Sequence, residues 1–349
     1  MGTEHSYDPY APDFFPAVVT QILERTEYHH ELGPDFTITN INITFTARKT
    51  QGEQRGTEVT AEHTLTTHFM LNEKEVEEGD RVLLVYIDFT GQYFFANYIR
   101  INYVIILGAI FFVLVLFFGR LKGFNAIVSL GFTCMAIFFV FIPAILAGRN
   151  VYAATIIVCM YAILSTLVMV VGLNKKALAS ILGCLGGVLL AGLLMLFMDV
   201  LLNLTGFIDD EMQFLTMLEN PIDIRAIIFA SVTIGAVGAI MDVAMSISSS
   251  LWELKEAGGV TDFASIFKSG ANIGKDILGT MLNTLVLAYI GSSMSLILLI
   301  SAHAGSLMEL FNTEMVIVEF LRAIIGSFGM LLAIPLTAAV CGWLYSLED

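Results

Sequence analysis

Residues 14–99 alternate apolar and polar positions, whereas from residue 101 onward the chain runs as long apolar stretches with short polar breaks. A helix needs about 20 apolar residues to cross a ~30 Å hydrocarbon core. Stretches at 101–119, 124–147, 151–173, 177–204, 225–251, 274–300 and 315–346 meet that length and predict seven transmembrane helices. Between the fifth and sixth, Trp252 to Gly274 mixes Leu254, Phe263, Ile266 and Phe267 with charges. That mixture predicts a cytoplasmic interfacial helix near 252–272. In the leading part, Phe36–Thr46 alternates Thr and Asn with Ile and Phe, the period of a half-buried strand, and Glu58–Leu65 and Arg81–Asp88 supply further strands. Lys49–Gly56 reads as a hairpin connection, and Glu77–Asp80 as the turn into the strand at 82–87. About five short strands must hide their edges, which predicts a small closed β-barrel. The expected architecture is a β-barrel-like domain over 1–99 followed by a helical membrane domain over 100–349.

Composition agrees: of 349 residues, 56% are hydrophobic and 14% charged, against roughly 45–50% and 25% in soluble domains. Residues 1–100 carry 16 of the 32 acids and 7 of the 17 bases, 7 − 16 = −9, so the head is acidic as well as polar. With no Lys/Arg-rich block in a chain of net charge −15, nucleic acid is excluded as a partner. The partners expected are the lipid bilayer and a second membrane protein or another copy of the chain. Arg120, Lys122, Lys175, Lys176, Lys255, Lys268 and Lys275 fall in loops on one side of the predicted spans. Asp209, Asp210, Glu211, Glu219, Asp223, Glu309 and Glu314 fall on the other. Basic loops stay in the cytoplasm, so the C-terminus is expected inside and the head outside. An external head needs a hydrophobic signal, and residues 1–20 hold none, so an anchor helix upstream is expected.

Ionisable residues inside membrane spans are costly and mark function. Four stand out: Asp242, Asp276, Glu319 and Arg322. Asp242 belongs to a stripe of Ser231, Gly235, Gly238, Ser246 and Ser249 at helical spacing, and Asp276 to one of Asn272, Thr280 and Asn283. Glu319 and Arg322 share a face with Gly326 and Gly329. Small residues permit close helix approach, so Gly235, Gly238, Gly326 and Gly329 are expected to pack, and the last three spans to form one bundle. A carboxylate at Asp242 is either protonated, paired, or reached by a cation or water. Asp276, next to Lys275, equally fits an interfacial charge, and Glu319 can pair with Arg322 on its own helix.

No nucleotide, zinc-protease or serine-hydrolase motif occurs, so neither enzymatic activity nor a cofactor is expected. Cys134, Cys159, Cys184 and Cys341 lie apart in apolar runs and read as core residues. His29, His30 and Glu31, with His63 and His68, could ligate a metal, but a spacing of five puts His63 and His68 on opposite strand faces. A solvated surface is expected there, and no metal site.

The blocks Gly235–Ser250 and Gly270–Tyr289, with Gly119–Gly123, Gly172–Lys176 and Glu319–Thr337, resemble the YibE/F family of bacterial membrane proteins. That resemblance implies a plasma-membrane location and an external β-domain following an anchor helix. In layout, though not in its motif residues, the order of an Asp-bearing span, a connector, then a span with Asn and Thr is similar to the SecF side of proton-driven Sec and resistance-nodulation-division proteins. The expectation is a proton- or ion-coupled transporter or export accessory. Asp242 would switch, with Ser246 and Asp276 nearby and Thr280 and Asn283 holding its ion, and Glu319 and Arg322 would form an outer gate. A non-transporting scaffold and a receptor for an external ligand are the alternatives.

Overall fold

In the computed structural model, which describes residues 13–33, 36–52, 54–66, 74–206, 212, 215–218, 220–258, 262–303 and 305–346, the polar–apolar alternation becomes a strand with two unlike faces. Ile43, Phe45, Ala47 and Lys49 are buried, while Thr44, Thr46 and Arg48 between them are more open. Five strands form: β1 (Asp13–Gly33), β2 (Phe36–Lys49), β3 (Glu58–Thr66), β4 (Arg81–Ile87) and β5 (Gln92–Tyr98). They close in the order β1-β2-β3-β5-β4, with β3 parallel to β5 and the other pairs antiparallel. Closure removes the exposed edges that an open sheet of this size would present. At 21 residues, β1 is far longer than the short strands expected. Irregularities at Val19/Gln21 and Ile22/Glu24 let it bend around the barrel.

Ala17, Val19, Phe45, Ala47, Ala61, Val82 and Leu84 fill the interior. Lys49 occupies an inward position at 2% exposure. Its Nζ donates to Gln54 Oε1 (2.7 Å) and Tyr93 Oη (2.8 Å) and lies over the rings of Phe15 and Tyr93, which offsets the cost of burying the charge. His63 corrects the solvated-surface expectation: it is 5% exposed, with its ring 4.0 Å from that of Phe95. His29 is exposed and bonds Thr39 Oγ1 at 2.9 Å. The side chains of His30 and Glu31, and His68 as a whole, lie outside the described residues. No group of three metal-binding side chains occurs among the described residues.

Burial pushes His63 down to about 4 from 6.5. An unfolded chain therefore takes up a proton between pH 6.5 and 4 that the folded barrel refuses, so stability is full above pH 6.5 and falls toward pH 4. The loss is on the order of 3 kcal/mol at 1.36 kcal/mol per pKa unit. Hydrogen exchange of the barrel strands in the full chain at pH 7 and pH 4.5 checks this. His63→Leu should flatten the difference, and an unchanged difference would exclude His63 as its source.

Chain packing divides the molecule into two units, Met1–Val113 and Leu114–Asp349. The helices are α1 (Ile101–Met135), α2 (Ile142–Leu146), α3 (Val151–Val171), α4 (Lys175–Leu202), α5 (Ile224–Glu256), α6 (Phe263–Ser292), α7 (Met294–His303), α8 (Leu307–Asn312) and α9 (Glu314–Ser346). A π-helical turn, Ala136–Phe141, joins α1 to α2. Among the described residues, six segments are long and apolar enough to cross a membrane, the first being the whole of Ile101–Leu146. That segment breaks at Arg120 (φ 48°, ψ −127°). There Gly123 comes against the Val115 carbonyl, a contact that a straight helix, rising ~12 Å over eight residues, cannot make.

The interfacial helix expected near 252–272 is not a separate element. Residues 252–256 extend α5, and Asp262 caps α6 by accepting from Ser265 N at 3.0 Å. Leu251 and Ile266 are buried, so the apolar residues of this connector serve helix packing. The run expected at 274–300 likewise divides at Ser293 into α6 and α7.

The membrane core is built on α4, α5 and α9. Gly187 faces Ile240 and Ala333, and Gly329 faces Ile240 and Ala191, so three backbones approach closely at one level. α5, α6 and α9 pack on one another as expected, Gly235 against Tyr289 and Gly326 against Leu285 and Ala236. α4 joins them in the central place, and α6 packs at the side of α9 through Gly270 and Gly274, opposite Ala338 and Ile334. At one end Ser248 Oγ bonds the Lys176 carbonyl and Lys255 Nζ donates to the Tyr345 carbonyl. At the other, the Glu314 carboxylate accepts from Thr205 N, Thr205 Oγ1 and Gly206 N at 2.6–2.8 Å.

Candidate functional site

Two polar places among the described helices carry ionisable groups that sequence spacing singled out. The first joins α5, α6 and α9 near the ends formed by Ile224, Ser292 and Glu314. Glu319 and Arg322, one turn apart on α9, form an ion pair. Ser293 Oγ, just past α6, donates to Glu319 Oε2 at 2.6 Å, and Arg322 Nη2 donates to Ser231 Oγ at 3.3 Å. Arg322 Nε is buried without a partner among the described residues. Tyr289 adjoins the group: a Cβ on Gly235 would stand 2.7 Å from its hydroxyl. Gly235 thus makes room for a phenol from α6, and Gly326 meets Leu285 of the same helix. Ser293 and Tyr289 were not legible as site residues, because nothing in their own spacing relates them to a carboxylate 26 or 30 residues away.

The second place is Asp242. It lies 18 residues into the 33-residue α5, about 27 Å along at 1.5 Å per residue. Its side chain is exposed on the surface of the bundle and has no hydrogen-bond or ion-pair partner among the described residues. Ser246, one turn further, is half-buried. Gly238, one turn before, has open space where a Cβ would stand, which corrects its role as a packing glycine: helix contact is made by the opposite face, through Ala236, Ile240, Val243 and Ile247. Gly238 and Met241 instead border a cavity of about 360 Å³ shared with Ser129, Thr133 and Thr166.

Asp276, Thr280 and Asn283 make no hydrogen bond or ion pair with Asp242 among the described residues. All three are exposed, and the Thr280 hydroxyl is spent on the Ile277 carbonyl at 2.9 Å. Gly270 and Gly274 set the packed face of α6. Asp276, two residues beyond Gly274, is turned about 200° from that face.

Among the described residues the cysteines are free, with Cys134 exposed and Cys159, Cys184 and Cys341 buried. These features define an integral α-helical membrane protein that carries an N-terminal five-stranded barrel. The family model for YibE/F-like protein matches residues 107–347, most of the chain, and the protein belongs to that family. No curated protein and no solved structure matches it.

Proposed function

We propose that this chain is a proton- or ion-coupled transporter or export accessory of the bacterial plasma membrane, without enzymatic activity, in which Asp242 is the coupling group. One observation carries the reading: a carboxylate at mid-span, open and without a protein partner among the described residues. A fixed charge there is costly, whereas a group that exchanges a proton or meets a passing cation pays that cost only for part of a cycle. Glu319 and Arg322, held by Ser293 and Ser231, act as a gate pair toward the far end. Asn283 is exposed on α6 and Thr280 Oγ1 is bonded to the Ile277 carbonyl, so the reading rests on Asp242 rather than on them.

The topology in this reading is seven crossings, with the segment from Ile101 to Leu146 making two of them around the reversal at Gly119–Gly123. The barrel is extracytoplasmic and the C-terminus cytoplasmic. Supporting it, Lys175, Lys176, Lys255 and Lys268 gather where α4 and α6 begin and α5 ends.

Infrared titration of the purified protein tests the assignment. Wild type should show a carboxylic-acid C=O band that titrates and is missing in Asp242→Asn, and the variant should lose pH-gradient-driven flux in proteoliposomes while remaining folded. Identical spectra and fluxes would refute the reading. A second reading, a scaffold that docks another membrane helix, draws on the outward face of α6, where Asn272, Asp276, Thr280 and Asn283 are exposed.

A further inference from the structure

The barrel ends at Tyr98 and the first membrane-spanning helix begins at Ile101. Three Cα steps cover at most about 11 Å, so the end of the barrel that holds the last residue of β5 lies at headgroup depth. A cavity of about 900 Å³ opens at that end, lined by Arg81, Leu83, Asn97, Arg100, Asn102 and Val104 among others. The Ile99 N–H donates to the Arg81 carbonyl at 2.8 Å, which sets the two arginines on neighbouring strand ends.

Their charges are uncovered. Three other bases of this acidic domain find acids: Arg25 holds Glu27 and Glu75, Arg48 holds Glu58, and Lys74 holds Asp80. Lys49 is held inside the barrel by Gln54 and Tyr93, and Arg55 lies outside this cavity. Arg81 and Arg100 have no acid partner among the described residues. Arg100 donates only to the neutral Asn97 Oδ1, at 3.0 Å, above the Tyr98 ring. Two free guanidinia at headgroup depth, beside two amides and an apolar wall, match one chemistry.

We propose that this cavity holds the phosphodiester of a membrane phospholipid. The planar forks of Arg81 and Arg100 suit paired phosphate oxygens, Asn97 and Asn102 can donate to the ester oxygens, and Leu83 and Val104 meet the first methylenes. The assignment rests on the chain entering the bilayer at Ile101, and it reconciles an acidic domain with a lipid surface by turning Arg81 and Arg100 toward it.

Native mass spectrometry of the full chain released from phosphatidylglycerol–phosphatidylcholine nanodiscs gives the test. Wild type should retain bound phospholipid. Arg81→Ala and Arg100→Ala should each weaken retention about fivefold and the double variant about 25-fold, from the ~1 kcal/mol that a base contributes at a lipid surface. Arg55→Ala, outside the cavity, should change nothing, and the paired Lys replacements should fall between. Undiminished lipid in the double variant overturns the proposal, as does displacement of the lipid by millimolar inorganic phosphate, which would mark a free-phosphate site. Failure of wild type to enter nanodiscs would instead overturn the membrane reading itself.

Discussion

Gly329→Leu is expected to destabilise the helical unit by more than about 3 kcal/mol or to prevent its folding, whereas Gly238→Leu should change stability by less than about 0.5 kcal/mol. A Cβ at Gly329 would stand 2.6 Å from Ile240 Cδ1 and 3.0 Å from Ala191 Cβ. Ile240 has nowhere to retreat, since it is fully buried and its other branch already faces Gly187. Overpacking a closed core costs about 1–3 kcal/mol for a few methylenes, and here the extra volume would separate α4, α5 and α9 together. Gly238, singled out by the same kind of small-residue spacing on α5, opens on unfilled space. Thermal unfolding of the two variants in one detergent makes the comparison. Equal melting temperatures would mean that Gly329 is not a contact point.

Arg322→Ala should cost about 3–5 kcal/mol, the usual penalty for stripping the partner from a buried charge. It leaves Glu319, whose side chain is 16% exposed, with only the Ser293 hydroxyl as a donor. Glu319→Gln should cost less because an amide oxygen still accepts from Ser293 while no carboxylate is stranded. Removing both charges in Glu319→Leu/Arg322→Leu should recover most of the loss, and the double-mutant cycle measures the coupling between them. If Arg322→Ala melts with wild type, the pair is solvated and contributes little.

The contrast between Gly238 and Gly329 also shows where sequence reasoning reaches its limit. Spacing at three and four residues identifies a helical face but does not say what stands opposite. The α5 stripe of Ser231, Gly235, Gly238, Asp242 and Ser246 was legible as one face. That it opens outward at Gly238 and Asp242, while Ser231 and Gly235 meet Arg322 and Tyr289, became visible only with the tertiary contacts, Ala236, Ile240, Val243 and Ile247 packing on the other side. On α6 the polar stripe was again grouped on one exposed face, and the glycines interleaved with it set the packed face against α9.

The chain by itself determined that it is a membrane protein with a β-rich head, because hydrocarbon thickness dictates helix length and a strand buried on one face repeats every two residues. It also determined the Glu319–Arg322 pair, since residues three apart on a helix are neighbours, and the resemblance to YibE/F-like proteins, now matched over 107–347. Tertiary structure alone decided the length of β1, the burial of His63, the central place of α4, the joining of Ser293 and Ser231 to the ion pair and the open space at Gly238. Each of these depends on which surfaces meet across long sequence separations. Periodicity constrains the faces of single elements, and only packing selects among the ways they can be brought together.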